Sequence, residues 1–346
     1  MRSPPELLAE FANLGALPPD ALALFGDGLF DTRTWYEIAS ATAVPAAAHP
    51  AFLVFGTPAS VIFPMLRVVH SATSLTTPYT CLWAPLTAPC PHRETLTEAG
   101  NALASWCRPH GAVRLDCIDF DDPRWSDLLQ GVRAAGLRVL RFDHFASWSI
   151  DLPNGDFDSY LAARPGALRT TLKRRGAKLA SSGAVLRMVR GAAGLADAIA
   201  AYESVYARSW KQSEPYPDFN AALMRACAID GSLRLALLER AGHAIAAQFW
   251  AVRAGTATVL KLAYDESEKT NSPGTVLTGL AIRDLMAHDR VTSLDFGRGD
   301  DTYKRDWATT RRQRVGLILA NPRHPRGLAA IFRHLAGRVR AGVLAR

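Results

Sequence analysis

Between Leu233 and Ala263, three apolar, β-rich stretches follow one another with only short links: Leu233–Glu239, Ala244–Val252 and Ala257–Ala263. The links, Arg240–Gly242 and Arg253–Thr256, each contain a glycine, which can take the left-handed backbone of a tight hairpin. Links this short join antiparallel strands, since a parallel crossover needs a dozen residues or more. The next connection is of that longer kind. A helix is predicted from Gly274 to His288, then a strand at Thr292–Phe296. A short helix, Asp301–Trp307, and a strand, Arg314–Ala320, complete the series. An antiparallel meander followed by a helical crossover specifies a mixed sheet covered by helices.

Upstream, a basic helix is predicted over Gly166–Ala180, with Leu168, Leu172 and Leu179 as its apolar stripe. A strand, Val185–Arg190, and helices Leu195–Trp210 and Phe219–Ile229 follow. The first half reads as a second mixed unit. Ala51–Gly56 and Ala59–Val69 form a hairpin broken at Pro58, and Leu96, Ala99, Leu103 and Trp106 mark a helix to Cys107. Strand Val113–Ile118, helix Ser126–Ala135 and strand Val139–Phe145 continue it. The turn Pro153–Asn154–Gly155 sets a border. The expected organisation is 1–152, 153–322 and a basic amphipathic helix over 323–346. That helix carries Leu328, Ile331, Phe332, Leu335 and Val339 on one face. It docks on the first domain or lies on an anionic membrane surface.

A chain of 346 residues accommodates two such domains. No run approaches the ~20 apolar residues of a membrane span. Met1–Gly15, with Pro4, Pro5, Glu6 and Glu10, lacks the layout of a secretory leader, so a cytoplasmic location is expected, or one at the inner membrane face. Cys81, Cys90, Cys107, Cys117 and Cys227 have no metal-ligand spacing and read as reduced; no metal is expected. The net charge of +8 is local in origin: eight Lys/Arg and no acid lie between Ser159 and Ala196, and nine Arg and no acid between Trp307 and Arg346. Two such patches suit an anionic partner (a nucleotide, a pyrophosphate, a lipid head group or tRNA) or are solvated helix faces.

The chemistry concentrates between Lys261 and Trp307. Asn271-Ser272-Pro273-Gly274-Thr275 leads from a strand into a helix, and Pro and Gly at a helix start leave backbone N–H groups open to an anion. An ordinary helix start explains the same residues, and neither of the phosphate loops G-x-x-x-x-G-K-[ST] and G-x-G-x-x-G occurs. Further on, Leu294-Asp295-Phe296-Gly297-Arg298-Gly299 brings a carboxylate to a strand end, and the helix after it presents Tyr303, Lys304 and Trp307. Ligands of open α/β sheets gather beyond strand carboxyl ends. The alternative is structural, with Asp295 capping the helix and Lys304 paired to a neighbouring acid.

The run Tyr264…Ser272-Pro273-Gly274…Leu277…Asp295-Phe296-Gly297-x-Gly299…Tyr303-Lys304…Trp307 resembles the acetyltransferase domain of CelD-type polysaccharide-biosynthesis proteins. That group belongs to the GNAT superfamily and is similar to the FemABX transferases. The resemblance extends upstream through Tyr160-Leu161 and Arg169…Lys173-Arg174-Arg175, and more thinly to Ser74-Leu75-Thr76 and Pro78-Tyr79. It implies an α/β fold of the α+β type: tandem GNAT-like domains, the first degenerate, each a mixed, mostly antiparallel sheet flanked by helices. It also implies attack of an amine on an acyl thioester. Tyr303 then acts as the acid, Asp295 orients the amine or a base water, and Lys304 stabilises developing charge or binds donor phosphate. Asn271, Ser272, Gly274 and Thr275 hold acetyl-CoA or another acyl-CoA, and Tyr264, Gln248, Trp210, Arg298 and Trp307 line the acceptor site. The usual Q/R-x-x-G-x-G/A loop is replaced by Glu268–Gly274, so the donor is either coenzyme A or, as in the Fem-like variant, aminoacyl-tRNA.

Elsewhere His243 reads as a turn histidine. Gln248 and Trp250 face a cleft or the core, and Trp210-Lys211-Gln212 ends a helix before Pro215 and Pro217 as a wall for an acceptor. Three functions fit. The first is acyl-CoA-dependent N-acylation of a small or lipid-linked sugar during envelope or exopolysaccharide synthesis. The second is transfer from aminoacyl-tRNA, and the third a non-catalytic binding role.

Overall fold

The structure, a computed structural model, describes residues 8–152 and 156–344; the turn expected at Pro153–Gly155, the residues before Leu8 and the side chain of Val339 lie outside them. Two compact units emerge, one built from the described residues up to Gly26, Phe30–Phe145 and Gln313 onward, the other from Asp27–Leu29 and Ala146–Arg312. The two main crossings fall within strands, at 145/146 and 312/313, where borders at 152/153 and 322/323 are expected.

The first unit contains β1 (Leu8–Phe11), α1 (Pro19–Leu22), α2 (Arg33–Thr42), β2 (Ala48–Phe55), β3 (Val61–Val68), β4 (Ser71–Ser74), β5 (Leu86–Thr87), α3 (Arg93–Cys107), β6 (Ala112–Ile118), α4 (Arg124–Ala134) and the start of β7 (Arg138–Asp151). The expected hairpin is present as β2–β3, with Phe52 opposite Pro64. Its strands run in the order β1-β2-β3-β4-β6, with β13 (Thr310–Ala320) beside β6. Pairing is antiparallel except between β4 and β6. The helices α3 and α4 press together so closely that a Cβ on Gly100 would fall on the carbonyl of Leu128, and one on Gly131 on that of Thr97. Leu103, Leu115, Trp125, Leu128 and Leu317 share the core beneath them. Each large side chain so buried contributes about 1.5–3 kcal/mol of transfer free energy.

The second unit continues with α5 (Phe157–Ala162), α6 (Gly166–Ser181), β8 (Val185–Val189), α7 (Leu195–Ala207), α8 (Pro217–Ile229), β9 (Leu233–Arg240), β10 (His243–Arg253), β11 (Thr256–Tyr264), α9 (Pro273–Asp284), β12 (Ser293–Arg298) and α10 (Lys304–Trp307). Its strand order is β7-β12-β11-β10-β9-β8. The meander β9–β10–β11 is antiparallel, as the short links require. The crossover through α9 makes β12 parallel to β11. Alternate residues of a strand face opposite ways. Ala236 and Leu238 of β9 therefore join Trp250, Leu277 and Ile282 under α9, whereas Leu235 and Leu237 point to the other face of the sheet.

In each unit the strand pairing is mixed and mostly antiparallel, as expected. β7 runs on to Asp151 where a strand ending at Phe145 is expected, and α9 ends at Asp284 in a π-turn, Leu285–Asp289. The last helix, α11 (Pro325–Leu344), packs in the first unit through its first turns. Arg326 donates to the His70 carbonyl and Ala330 is buried, but Leu328, Phe332 and Leu335 remain exposed. Among the described residues no helix is long and apolar enough to cross a membrane.

Candidate active site

The parallel pairing of β11 with β12 is brief. It joins Thr256 to Ser293, Ala257 to Leu294 and Thr258 to Asp295, and there it stops, although β11 continues to Tyr264 and β12 to Arg298. The two strands part at Asp295, which holds its place by accepting from the Gly297 amide through Oδ1 (2.8 Å). Leu260, Lys261 and Leu262 of β11, beyond this fork, are only partly buried.

The helix between these strands begins beside the fork. Ser272 stands at the N-cap of α9 in the left-handed region (φ 52°, ψ 45°), uncommon for a non-glycine residue, and its side chain makes no cap. Pro273 has no N–H, and the amides of Gly274 and Thr275 precede the first intrahelical bond, from Val276 N to Ser272 O (3.1 Å). Two N–H groups and the positive end of the helix dipole thus converge at one point. Gly274 is required by close approach, since a Cβ there would stand 3.0 Å from the Tyr264 ring. The Asn271 side chain is engaged within the preceding turn, where its amide donates to Glu268 Oε2 (2.8 Å), and Glu268 is paired with Arg240. Those two hydrogen bonds hold the Glu268 carboxyl below its usual range, Arg240 contributing most.

The loop after β12 is tied from within. Gly297 (φ 63°) and Gly299 (φ 113°) take conformations other residues avoid, and they turn the carbonyls of Arg298 and Gly299 onto Lys304 Nζ (2.6 and 3.4 Å). Asp301 lies 3.3 Å from the same ammonium. Lys304 is only 3% exposed. The charge-stabilising role expected for it is therefore corrected: its donors are engaged in shaping the loop. Asp300 pins the loop further, accepting from Trp148 Nε1 (2.8 Å) and pairing with Arg311 (2.9 Å). Tyr303, held at the loop's end, keeps 40% of its surface exposed while crowding around the phenol, and then the charge of Asp301, push its pKa up.

Two expected acceptor contacts are corrected on packing grounds. Trp307 is buried in the core, and its carbonyl accepts from the Tyr160 hydroxyl (2.7 Å). Gln248, 1% exposed, bridges Thr278 Oγ1 (2.6 Å) and Trp250 Nε1 (2.9 Å), and Thr278 in turn donates to the Gly274 carbonyl. It braces α9 against β10 and is closed off from any substrate. Tyr264 and Trp210 do meet, with ring centres 4.4 Å apart and Trp210 half exposed. Arg298 is exposed at the end of β12.

Residue-level sequence reasoning misses a charged cluster behind that aromatic wall. Lys261 Nζ donates to Glu214 Oε1 (2.5 Å), which also accepts from the Tyr206 hydroxyl (2.5 Å). Lys211 stands 5.8 Å from the ring centres of Tyr206 and Trp210. Burial, followed by the neighbouring Lys261 charge, pushes its pKa down to about 8; Asp301 and Lys304 act on it as well. Tyr206, Trp210, Lys211 and Glu214 are close in sequence, but Lys261 of β11, Asp301 and Lys304 of α10 join them only through the fold.

Comparisons with known proteins bear on this arrangement. Residues 166–305 match the family described as acetyltransferase (GNAT) domain. No curated protein matches the chain. Among solved structures it is similar to FemX (11% identity, TM-score 0.59, 87% of this chain and 95% of that one) and to L-PGS from Bacillus licheniformis (12%, 0.55, 92% and 96%). It is also similar to a tandem GNAT protein from the clavulanic acid biosynthesis pathway (13%, 0.50, 91% and 98%). At such identities the likeness is one of fold.

Proposed function

We infer the function of this chain from its membership of the GNAT superfamily of acyltransferases, carried by residues 166–305: it moves an acyl group from a coenzyme A thioester to an amine of a sugar or envelope precursor. The observation that carries this reading is the end of β11–β12 pairing at Thr258 and Asp295 beside the uncapped start of α9. A donor would set its pyrophosphate on the Gly274 and Thr275 amides. Its thioester would enter the fork, where main-chain amides of β11 no longer paired with β12 can face the developing oxyanion.

The amine nitrogen bonds to the carbonyl carbon and the C–S bond breaks. Lys211, neutral in half of the molecules near pH 8, takes the amine proton. The Tyr303 phenol, kept protonated by its raised pKa, gives a proton to the departing thiolate. The exposed face of Trp210 would stack on a sugar ring, small or lipid-linked, and Lys261 with Glu214 would hold its polar groups.

Acetyl-CoA at about a hundred times its dissociation constant is expected to stabilise the protein by about 2.7 kcal/mol, read as a rise in Tm. Amino sugars should then release free thiol. No shift with acetyl-CoA or longer acyl-CoA would remove the reading.

Aminoacyl-tRNA as donor is favoured by one observation, the acid-free run of cations on α6. It requires a tRNA complex whose affinity falls steeply with salt.

A further inference from the structure

A second site lies on the α9 face of the same unit, running along α9 from Val276 to Arg283. Helices α5, α6 and α9 and strands β8 and β9 line a pocket of about 450 Å³ that is open to solvent on one side. That lies within the roughly 300–1,000 Å³ of small-molecule sites. Its walls are apolar, among them Leu172, Ala180, Leu186, Leu238 and Leu280. Three cations line it too, Arg169 and Lys173 from α6 and Arg283 from α9, and no acid does so among the described residues. Arg283 is partly answered by Asp158 at 3.6 Å. Arg169 and Lys173 lie in the stretch that contains no acidic residue at all.

Gly176 shows that the space is kept clear. It sits in the middle of α6, where glycine costs about 1 kcal/mol relative to alanine. Its φ is helical and needs no glycine, and a Cβ there would meet nothing within 4 Å. Close packing does not explain it, in contrast to Gly279 across the cavity, whose Cβ would strike Leu172. A helical glycine that opens on free space at the wall of a cation-lined apolar pocket leaves room for an occupant from outside the chain.

We propose that this cavity binds an anionic amphiphile, its acyl chain lying against Gly176, Ala180 and Leu238 and its carboxylate or phosphate held by Arg169, Lys173 and Arg283. The apolar walls supply affinity and the cations supply orientation. None of the residues that line it is assigned to the thioester donor, so the proposal is tested separately from that assignment.

The full chain is titrated with cis-parinaric acid, a fluorescent fatty acid, and in parallel co-sedimented with vesicles of phosphatidylglycerol or of phosphatidylcholine. Saturable fluorescence is expected, with Gly176→Leu weakening it at least tenfold. Because leucine favours helix over glycine, that variant should keep or raise its Tm. Arg169→Gln combined with Lys173→Gln should weaken parinaric acid several-fold and leave parinaryl methyl ester, which lacks the charge, unchanged. Binding of the free acid alone assigns a soluble acyl anion. Added sedimentation with phosphatidylglycerol but not phosphatidylcholine vesicles, lost in the same variants, assigns a bilayer lipid. Absence of both, or binding unaltered in a folded Gly176→Leu protein, overturns the proposal.

Discussion

Each unit of this protein contains a strand–helix–strand crossover that leaves two strands briefly parallel, and the two crossovers end differently. In the first unit β4 pairs with β6 at Ala72–Val113 and Thr73–Arg114. The chain then closes what lies beyond. Ser74 Oγ accepts from the Asp116 amide (2.9 Å), the Trp83 amide donates to the Cys117 carbonyl (2.9 Å), and Trp83 buries its ring 5.9 Å from that of Trp125. In the second unit β11 and β12 part after Thr258–Asp295, and only the short stretch 265–272 leads from β11 into α9. The same topology thus makes a core when its own chain fills the fork and leaves room for a ligand when it does not.

The largest expected effect tests which fork is reactive. Tyr303→Phe should lower kcat about a hundredfold or more, the usual span of a general acid, with little change in Tm. Unaltered turnover would put the chemistry elsewhere. Gly131→Ala in the closed unit should do the reverse, lowering stability by about 1–3 kcal/mol through overpacking against α3, with acetyl-CoA affinity per folded molecule retained. Calorimetry of the liganded and free variant separates the two quantities. Gly274→Val should weaken acetyl-CoA roughly tenfold by crowding the helix start against Tyr264, measured by isothermal titration. The smallest effect is on pH dependence. The folded pKa of Lys211 lies near 8 against an ordinary 10.5, so between those values the unfolded chain holds more protons and stability rises with pH. Below pH 8 both states are protonated and the slope vanishes. Lys211→Met should flatten that rise in denaturant titrations and remove the limb of kcat/KM that climbs toward pH 8.

Much of this architecture is legible in the residue order. The meander 233–264, the crossover helix and the basic α6 follow from periodicity and turn glycines, which act over a few residues. The site is legible only in part. The Gly297-x-Gly299 pair reads as a tight backbone path, and it is one, but what the path encircles is the Lys304 ammonium. Gln248 and Trp307 look available because polar or aromatic residues near a motif always do; at 1% and 2% exposure they brace the fold instead. Lys211 and Glu214 carry no local signal of their perturbed surroundings, because the charges that make them notable arrive from β11 and from the chain after β12.

Elements whose causes are local, such as hairpin links, helix starts and the left-handed glycines, can be read from the order of residues. Which strands separate, which cations go unanswered and which glycine opens on empty space depend on groups far apart in the chain. Burial and electrostatic neighbourhood exist only after folding has brought those groups together.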